Sequence, residues 1–115
     1  MIKKITILYI ISFIFSLCCN AEVLKYEITI KDHKFYPSVI EAPADTVIKL
    51  KITNLDPTIE EFESFDLKRE KIVIGNGGKI IVTVGPLKAG EYIFFGEFNP
   101  KTAQGKLTVR EKKDA

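Results

Sequence analysis

The feature that most constrains this chain is a side-chain alternation with a period of two that recurs along much of its length. Leu24, Tyr26, Ile28 and Ile30 alternate with Lys25, Glu27, Thr29 and Lys31, and successive side chains leave opposite faces in an extended strand. The pattern returns where Thr46, Ile48, Leu50 and Ile52 alternate with Val47, Lys49, Lys51 and Thr53, and again at Ile80, Val82 and Val84. Further extended pieces are expected over Ser38–Glu41, around Tyr92, Phe94 and Gly96, and at Leu107 and Val109. Asp32-His33-Lys34, Ala42-Pro43-Ala44-Asp45 and Pro86-Leu87-Lys88-Ala89-Gly90 separate these runs, and Asp56-Pro57 begins a bend. Phe65 to Lys71 is expected to hold one short helical turn. It can extend no further, because Ile72-Val73-Ile74 is β-branched and Gly75-Asn76-Gly77-Gly78 then reads as a hairpin turn. Short strands, Gly/Pro turns and no long amphipathic helix predict an all-β fold, a single Greek-key β-sandwich.

The first residues have the pattern of an export signal. Lys3 and Lys4 precede an apolar run from Ile5 to Leu17, and Cys19-Asn20-Ala21 places small residues at a cleavage position. That run is short for a membrane span. Residues 1–21 are therefore expected to be a signal peptide cleaved after Ala21, and residues 22–115 a periplasmic or secreted domain. A lipid anchor at Cys18 or Cys19 is the competing expectation; the bulky Leu17, where a small residue is wanted, favours free release. Cleavage removes both cysteines, so no disulfide braces the domain and its stability must come from packing. Charge changes as well. The chain has 17 basic and 15 acidic residues, and with Lys3 and Lys4 gone both signs number 15. A neutral domain of mixed sign gives no reason to expect a nucleic-acid partner.

Little in the remainder suggests catalysis. The mature chain has no Cys nucleophile, its serines lie far in sequence from His33, and no glycine-rich phosphate loop precedes a helix. An enzyme is not expected. The acidic stretch Glu60-Glu61-Phe62-Glu63 is more informative. In a strand, Glu61 and Glu63 share one face while Phe62 plugs the core from the other. The two carboxylates then repel unless a cation or donor stands between them. They are the first candidate metal ligands; the alternative is a pair of surface glutamates held by lysine or arginine. His33, the only histidine, and Glu97, in the loop between the last two strands, are candidates to complete the shell. Glu60 is turned away by the alternation. Asn99 is expected to cap the turn at Pro100, and Lys68-Arg69-Glu70-Lys71 reads as a solvated charge run. Tyr92, just after Gly90, suits the corner tyrosine of a sandwich. Phe94, Phe95 and Phe98 are expected in the core, and any left exposed would mark a docking patch.

The order of landmarks resembles the cupredoxin superfamily over the whole mature chain. Phe35-Tyr36-Pro37-Ser38-Val39-Ile40 leads into Ala42-Pro43-Ala44-Asp45-Thr46. Asn54-x-Asp56 follows, then Gly90-x-Tyr92 before a loop with Pro100 and Gly105. Glu60-Glu61-Phe62-Glu63-Ser64 and Phe94-Phe95-Gly96-Glu97-Phe98-Asn99-Pro100 resemble, more narrowly, the cupredoxin-like domains of periplasmic Efe-type iron-transport proteins. Against the type-1 copper pattern, the resemblance places Glu60 at the first His, Gly96 at the Cys, Asn99 at the second His and Thr102 or Ala103 at the axial Met. None can supply the soft thiolate and imidazole set of that centre. In the Efe-type domains a Glu-aromatic-Glu segment is implicated in metal binding with cysteines nearby; here Glu61-Phe62-Glu63 matches the segment, and Phe35 and Phe95 stand where the cysteines are expected.

Together these readings predict a metal-binding protein of iron or copper uptake or handling. Glu61, Glu63, His33 and Glu97 would be its ligands, and a membrane permease or periplasmic uptake component a possible partner. The competing expectation is a cofactor-free sandwich that docks to a transporter or carrier.

Overall fold

In the computed structural model, which describes residues 22–112, every alternating run forms a strand. The expected signal segment 1–21 and the last three residues of the expected tail lie outside the described residues. The strands are β1 (Val23–Lys31), β2 (Lys34–Tyr36), β3 (Val39–Pro43), β4 (Val47–Asn54), β5 (Glu60–Ser64), β6 (Arg69–Val73), β7 (Gly78–Val84), β8 (Gly90–Gly96) and β9 (Gln104–Arg110). They form a four-stranded sheet in the order β2-β1-β4-β7 and a five-stranded sheet in the order β3-β9-β8-β5-β6. β1 runs parallel to β4 and β3 parallel to β9, and the other pairs are antiparallel. Strands adjacent in sequence thus often lie in different sheets, as a Greek-key sandwich requires.

The inner faces close on Ile28, Ile30, Ile48, Leu50, Ile52, Val82 and Val84 from one sheet and Phe62, Val73, Phe94, Leu107 and Val109 from the other. Phe35, Phe62 and Phe94 meet at its centre with ring centroids 5.1 to 6.3 Å apart, two of the three contacts edge-on, the geometry the aromatic quadrupole favours. Among the described residues, 22–112, both sheets and the core between them are already formed.

Three local expectations are corrected. Phe65–Lys68 is a hairpin turn without helix, closed by the Lys68 N–H donating to the Phe65 carbonyl at 3.3 Å, and Arg69–Lys71 already belongs to β6. The helix-tolerant residues were overruled by pairing: β6 zips onto β5 from Ser64↔Arg69 to Glu60↔Val73. Gly75-Asn76-Gly77-Gly78 joins strands of different sheets and makes no hairpin; its amides at Asn76 and Gly77 donate to the carbonyls of Asp56 and Asn54. A Cβ on Gly75 would lie 2.6 Å from the Asp56 carbonyl oxygen, so only glycine permits this approach. Ala42 and Pro43 extend β3, where proline is tolerated because β3 is an edge strand.

The open side between β6 and β7 is bridged by side chains. Arg69 donates through Nε and Nη2 to the Thr83 carbonyl, and Lys71 Nζ donates to that of Ile81. Tyr92 takes the corner role, its hydroxyl donating to the Lys88 carbonyl at 2.7 Å.

Candidate metal centre

Strand β5 divides its glutamates between two environments, as the alternation requires. Glu60 and Phe62 point inward and are 2 % and 0 % exposed, while Glu61 and Glu63 stand half-buried on the outer face. The Glu60 carboxylate is fully engaged. Oε1 accepts from the backbone N–H groups of Glu61 and Phe98, each at 2.9 Å, and Oε2 accepts from Asn99 Nδ2, also at 2.9 Å. Gly96 makes room for it. A Cβ there would lie 2.6 Å from Glu60 Cδ and Oε2 and 2.8 Å from the Ala103 Cβ. Glu60, Gly96, Asn99 and Ala103 thus converge on one buried point at the end of the sandwich.

On the outer face the hairpin register brings a further carboxylate to the pair. Glu63 stands directly opposite Glu70, and Glu61 opposite Ile72. Glu61, Glu63 and Glu70 can each offer an oxygen such that all three lie within 4.8 Å of one another. Glu97 is close by, its N–H donating to the Glu61 carbonyl at 2.9 Å. Elsewhere on this face the carboxylates are neutralised: Lys106 pairs with Glu91 at 3.1 Å and Arg110 with Glu41 at 3.3 Å. Among the described residues no lysine or arginine pairs with Glu61, Glu63 or Glu70. Arg69 and Lys71, their sequence neighbours, are turned to the carbonyls of β7.

Burial and uncompensated negative charge both show in the ionisation of the pair. Glu61 is raised above its ordinary value first by burial, then by hydrogen bonding and charge from Glu70, then by the charges of Glu63 and Glu97. Glu63 is raised by burial, by the charges of Glu70 and Glu97, and by hydrogen bonding to Glu70. All three causes disfavour the charged form. A cation held among these carboxylates would offset the repulsion between them.

The other expected ligand lies apart from this group. His33 sits in the β1–β2 turn of the opposite sheet, at φ 59°, with its N–H donating to Asp56 Oδ2 at 2.9 Å. Its imidazole is not among the three clustered donors. Glu70 was hidden within a charge run in the sequence; the signal that finds it is a four-residue turn at Phe65–Lys68, which fixes Glu63 opposite Glu70. Of the two positions expected to hold cysteine in the Efe-type pattern, Phe95 neighbours Glu63 across the β5–β8 pair and packs against Phe65, with ring centroids 5.6 Å apart and planes tilted by 58°. Phe35 lies in the core against Phe62 and Phe94.

A sequence profile of the cupredoxin-like domain matches residues 4–109. This chain belongs to the cupredoxin-like domain family. It is 51 % identical over 92 residues to an uncharacterized protein of Rickettsia prowazekii (strain Madrid E), a match spanning 80 % of this chain and 73 % of that one. Among solved structures it is similar to auracyanin A, a blue copper protein of Chloroflexus aurantiacus, with a TM-score of 0.65 and 15 % identity over 76 % of this chain and 99 % of that one. It is also similar to the metal-binding domain of the Cu(I)-exporting P-type ATPase CopA of Streptococcus pneumoniae D39, with a TM-score of 0.67 and 15 % identity over 81 % of this chain and 100 % of that domain. At such identities the likeness is one of fold.

The buried end of this cupredoxin-like sandwich does not fit a type-1 copper ion. Its donors are one carboxylate and one amide, already bonded to each other, and the nearby Gly96 and Ala103 offer no ligand atom. The Glu60 carboxylate takes the space and ties down the Phe98–Asn99 loop itself.

Proposed function

We propose that this cupredoxin-like protein is a non-catalytic metal-binding protein that holds its ion on the outer face of the five-stranded sheet. Glu61, Glu63 and Glu70 would be the ligands, with Glu97 placed to join them. One observation carries this: three carboxylates gathered on one face with no basic partner among the described residues, while Glu91 and Glu41 on that face are paired. An all-oxygen donor set suits hard or borderline cations, iron first and manganese or calcium after it. Cupric copper would need a nitrogen donor in addition. Together with the export-type start of the chain and its likeness to Efe-type domains, the site supports a role in iron uptake or handling in the periplasm, delivering to or receiving from a membrane permease.

Equilibrium dialysis of the chain from Glu22 against ferrous iron, cupric copper and manganese tests this. Wild type should bind one ion. Glu61→Gln/Glu63→Gln should lose more than the roughly 10- to 100-fold that removal of an outer-shell partner costs. His33→Ala should bind as wild type does. Equal binding by wild type and the double variant, or none by either, overturns the proposal.

A further inference from the structure

The near balance of charges, 17 basic against 15 acidic, conceals a segregation that only the register reveals. On the outer face of the four-stranded sheet stand Lys25 and Lys31 from β1, Lys34 from β2, Lys49 and Lys51 from β4, and Lys79 from β7. Among the described residues, the only acidic strand residue on this face is Glu27, beside Lys51. Lys25 lies next to Lys49 and Lys31 opposite Lys34, so like charges are neighbours across the strands, a destabilising arrangement. None of the six lysines forms an ion pair among the described residues. The mixed-sign domain expected from composition is instead polarised, with a lysine face on one sheet and the unpaired glutamates on the other.

We propose that this lysine face docks on the surface of a bilayer rich in anionic phospholipid. The cations are spread over all four strands, as a plane of charge rather than a ring around a peptide groove. They are all lysines, compact hydrated charges on flexible stems that suit a diffuse negative surface; the forked guanidinium that reads individual phosphates is absent from this face. Half-exposed apolar groups stand among them, Tyr36 at 49 % and Ile81 at 51 %, of the kind that settles at the headgroup level. At one end a hollow of about 510 Å³, floored by Ile80 and Ile81, is flanked by Lys51, Lys71 and Lys79. Lys71 Nζ is held on the Ile81 carbonyl, which leaves Lys51 and Lys79 to meet one headgroup phosphate beside an apolar wall. The docking does not depend on the metal site, which lies on the opposite face.

Vesicle flotation with the chain from Glu22 tests the docking. Binding is expected to vesicles of equal parts phosphatidylglycerol and phosphatidylcholine, not to phosphatidylcholine alone, and to fade as salt is raised. Each lysine near an anionic surface contributes roughly fivefold, so Lys25→Gln/Lys49→Gln/Lys51→Gln should weaken binding on the order of a hundredfold. Lys68→Gln/Lys88→Gln/Lys101→Gln, an equal loss of charge elsewhere, should weaken it far less, and Glu61→Gln/Glu63→Gln should not weaken it at all. A thermal midpoint no lower than that of wild type in the first variant shows that folding is intact. The docking is overturned if anionic vesicles are ignored, if neutral ones bind equally, or if both lysine triples lose the same. Capture of a soluble polyglutamate chain with no vesicle binding would overturn it too, in favour of an acidic protein partner.

Discussion

Glu60 and Glu61 are adjacent in one strand and identical in chemistry, yet the sandwich treats them oppositely. Glu60 is buried and has a donor for each oxygen; Glu61 stands outside among other carboxylates with no cation at hand. The inner one has become structure. The loop after β8 is held by hydrogen bonds from Phe98 and Asn99 to that carboxylate. The outer ones carry an electrostatic cost that an ion would relieve. A carboxylate is evidence for a metal site only when its own lone pairs are free, and a one-residue step along β5 separates the two cases.

The sharpest way to break the contrast is Glu60→Ala. It strands two backbone N–H groups and an amide in a buried site, and should cost about 3 kcal/mol or more in urea unfolding. The folded fraction should still bind metal. Metal affinity lost in proportion to a direct ligand would mean that the inner carboxylate is part of the site. Gly96→Ala attacks the same point sterically, with a methyl group set 2.6 Å from the Glu60 carboxylate. Overpacking of this kind should cost about 1–3 kcal/mol; a neutral result would show that the Glu60 carboxylate is not held against Gly96.

The smallest effect concerns the outer pair and pH. Glu61 and Glu63 are raised above 4.5 in the folded protein, so above that value the folded state keeps protons the unfolded chain has released. Metal-free stability should therefore fall as pH rises through that window. Glu61→Gln/Glu63→Gln should remove this part of the decline and leave the variant the more stable of the two at neutral pH. Thermal midpoints measured for both proteins from acid to neutral pH decide the matter; parallel profiles would show that the pair is not strained by charge.

The strands and the inward or outward sense of their residues were legible because alternation is local. Phe62 inside, Glu61 and Glu63 outside, and Glu60 turned from them all follow from period two. What depends on pairing was not legible. Glu70 joins the site through the β5–β6 register, which the sequence masked with Lys68, Arg69 and Lys71 around it. The short β2 and the path of Gly75–Gly78 between sheets were missed for the same reason: short-range signals mark a turn but not which sheet the chain enters next. His33 could not be placed from sequence, since a turn residue's direction is set by what grips it, here the distant Asp56 carboxylate. Likeness to the copper proteins grouped Glu60, Gly96 and Asn99 as one set, but only packing shows the carboxylate filling the gap.

The side chains that bridge β6 and β7 bear on how the protein behaves when crowded. A sandwich with two open margins offers rows of unsatisfied carbonyls on which a stray strand can template, the first step towards a fibril. Here Arg69 and Lys71 occupy the carbonyls of Thr83 and Ile81 along one margin. Any strand seeking to add to β7 must first evict two cations, so this border is defended by the molecule's own charges.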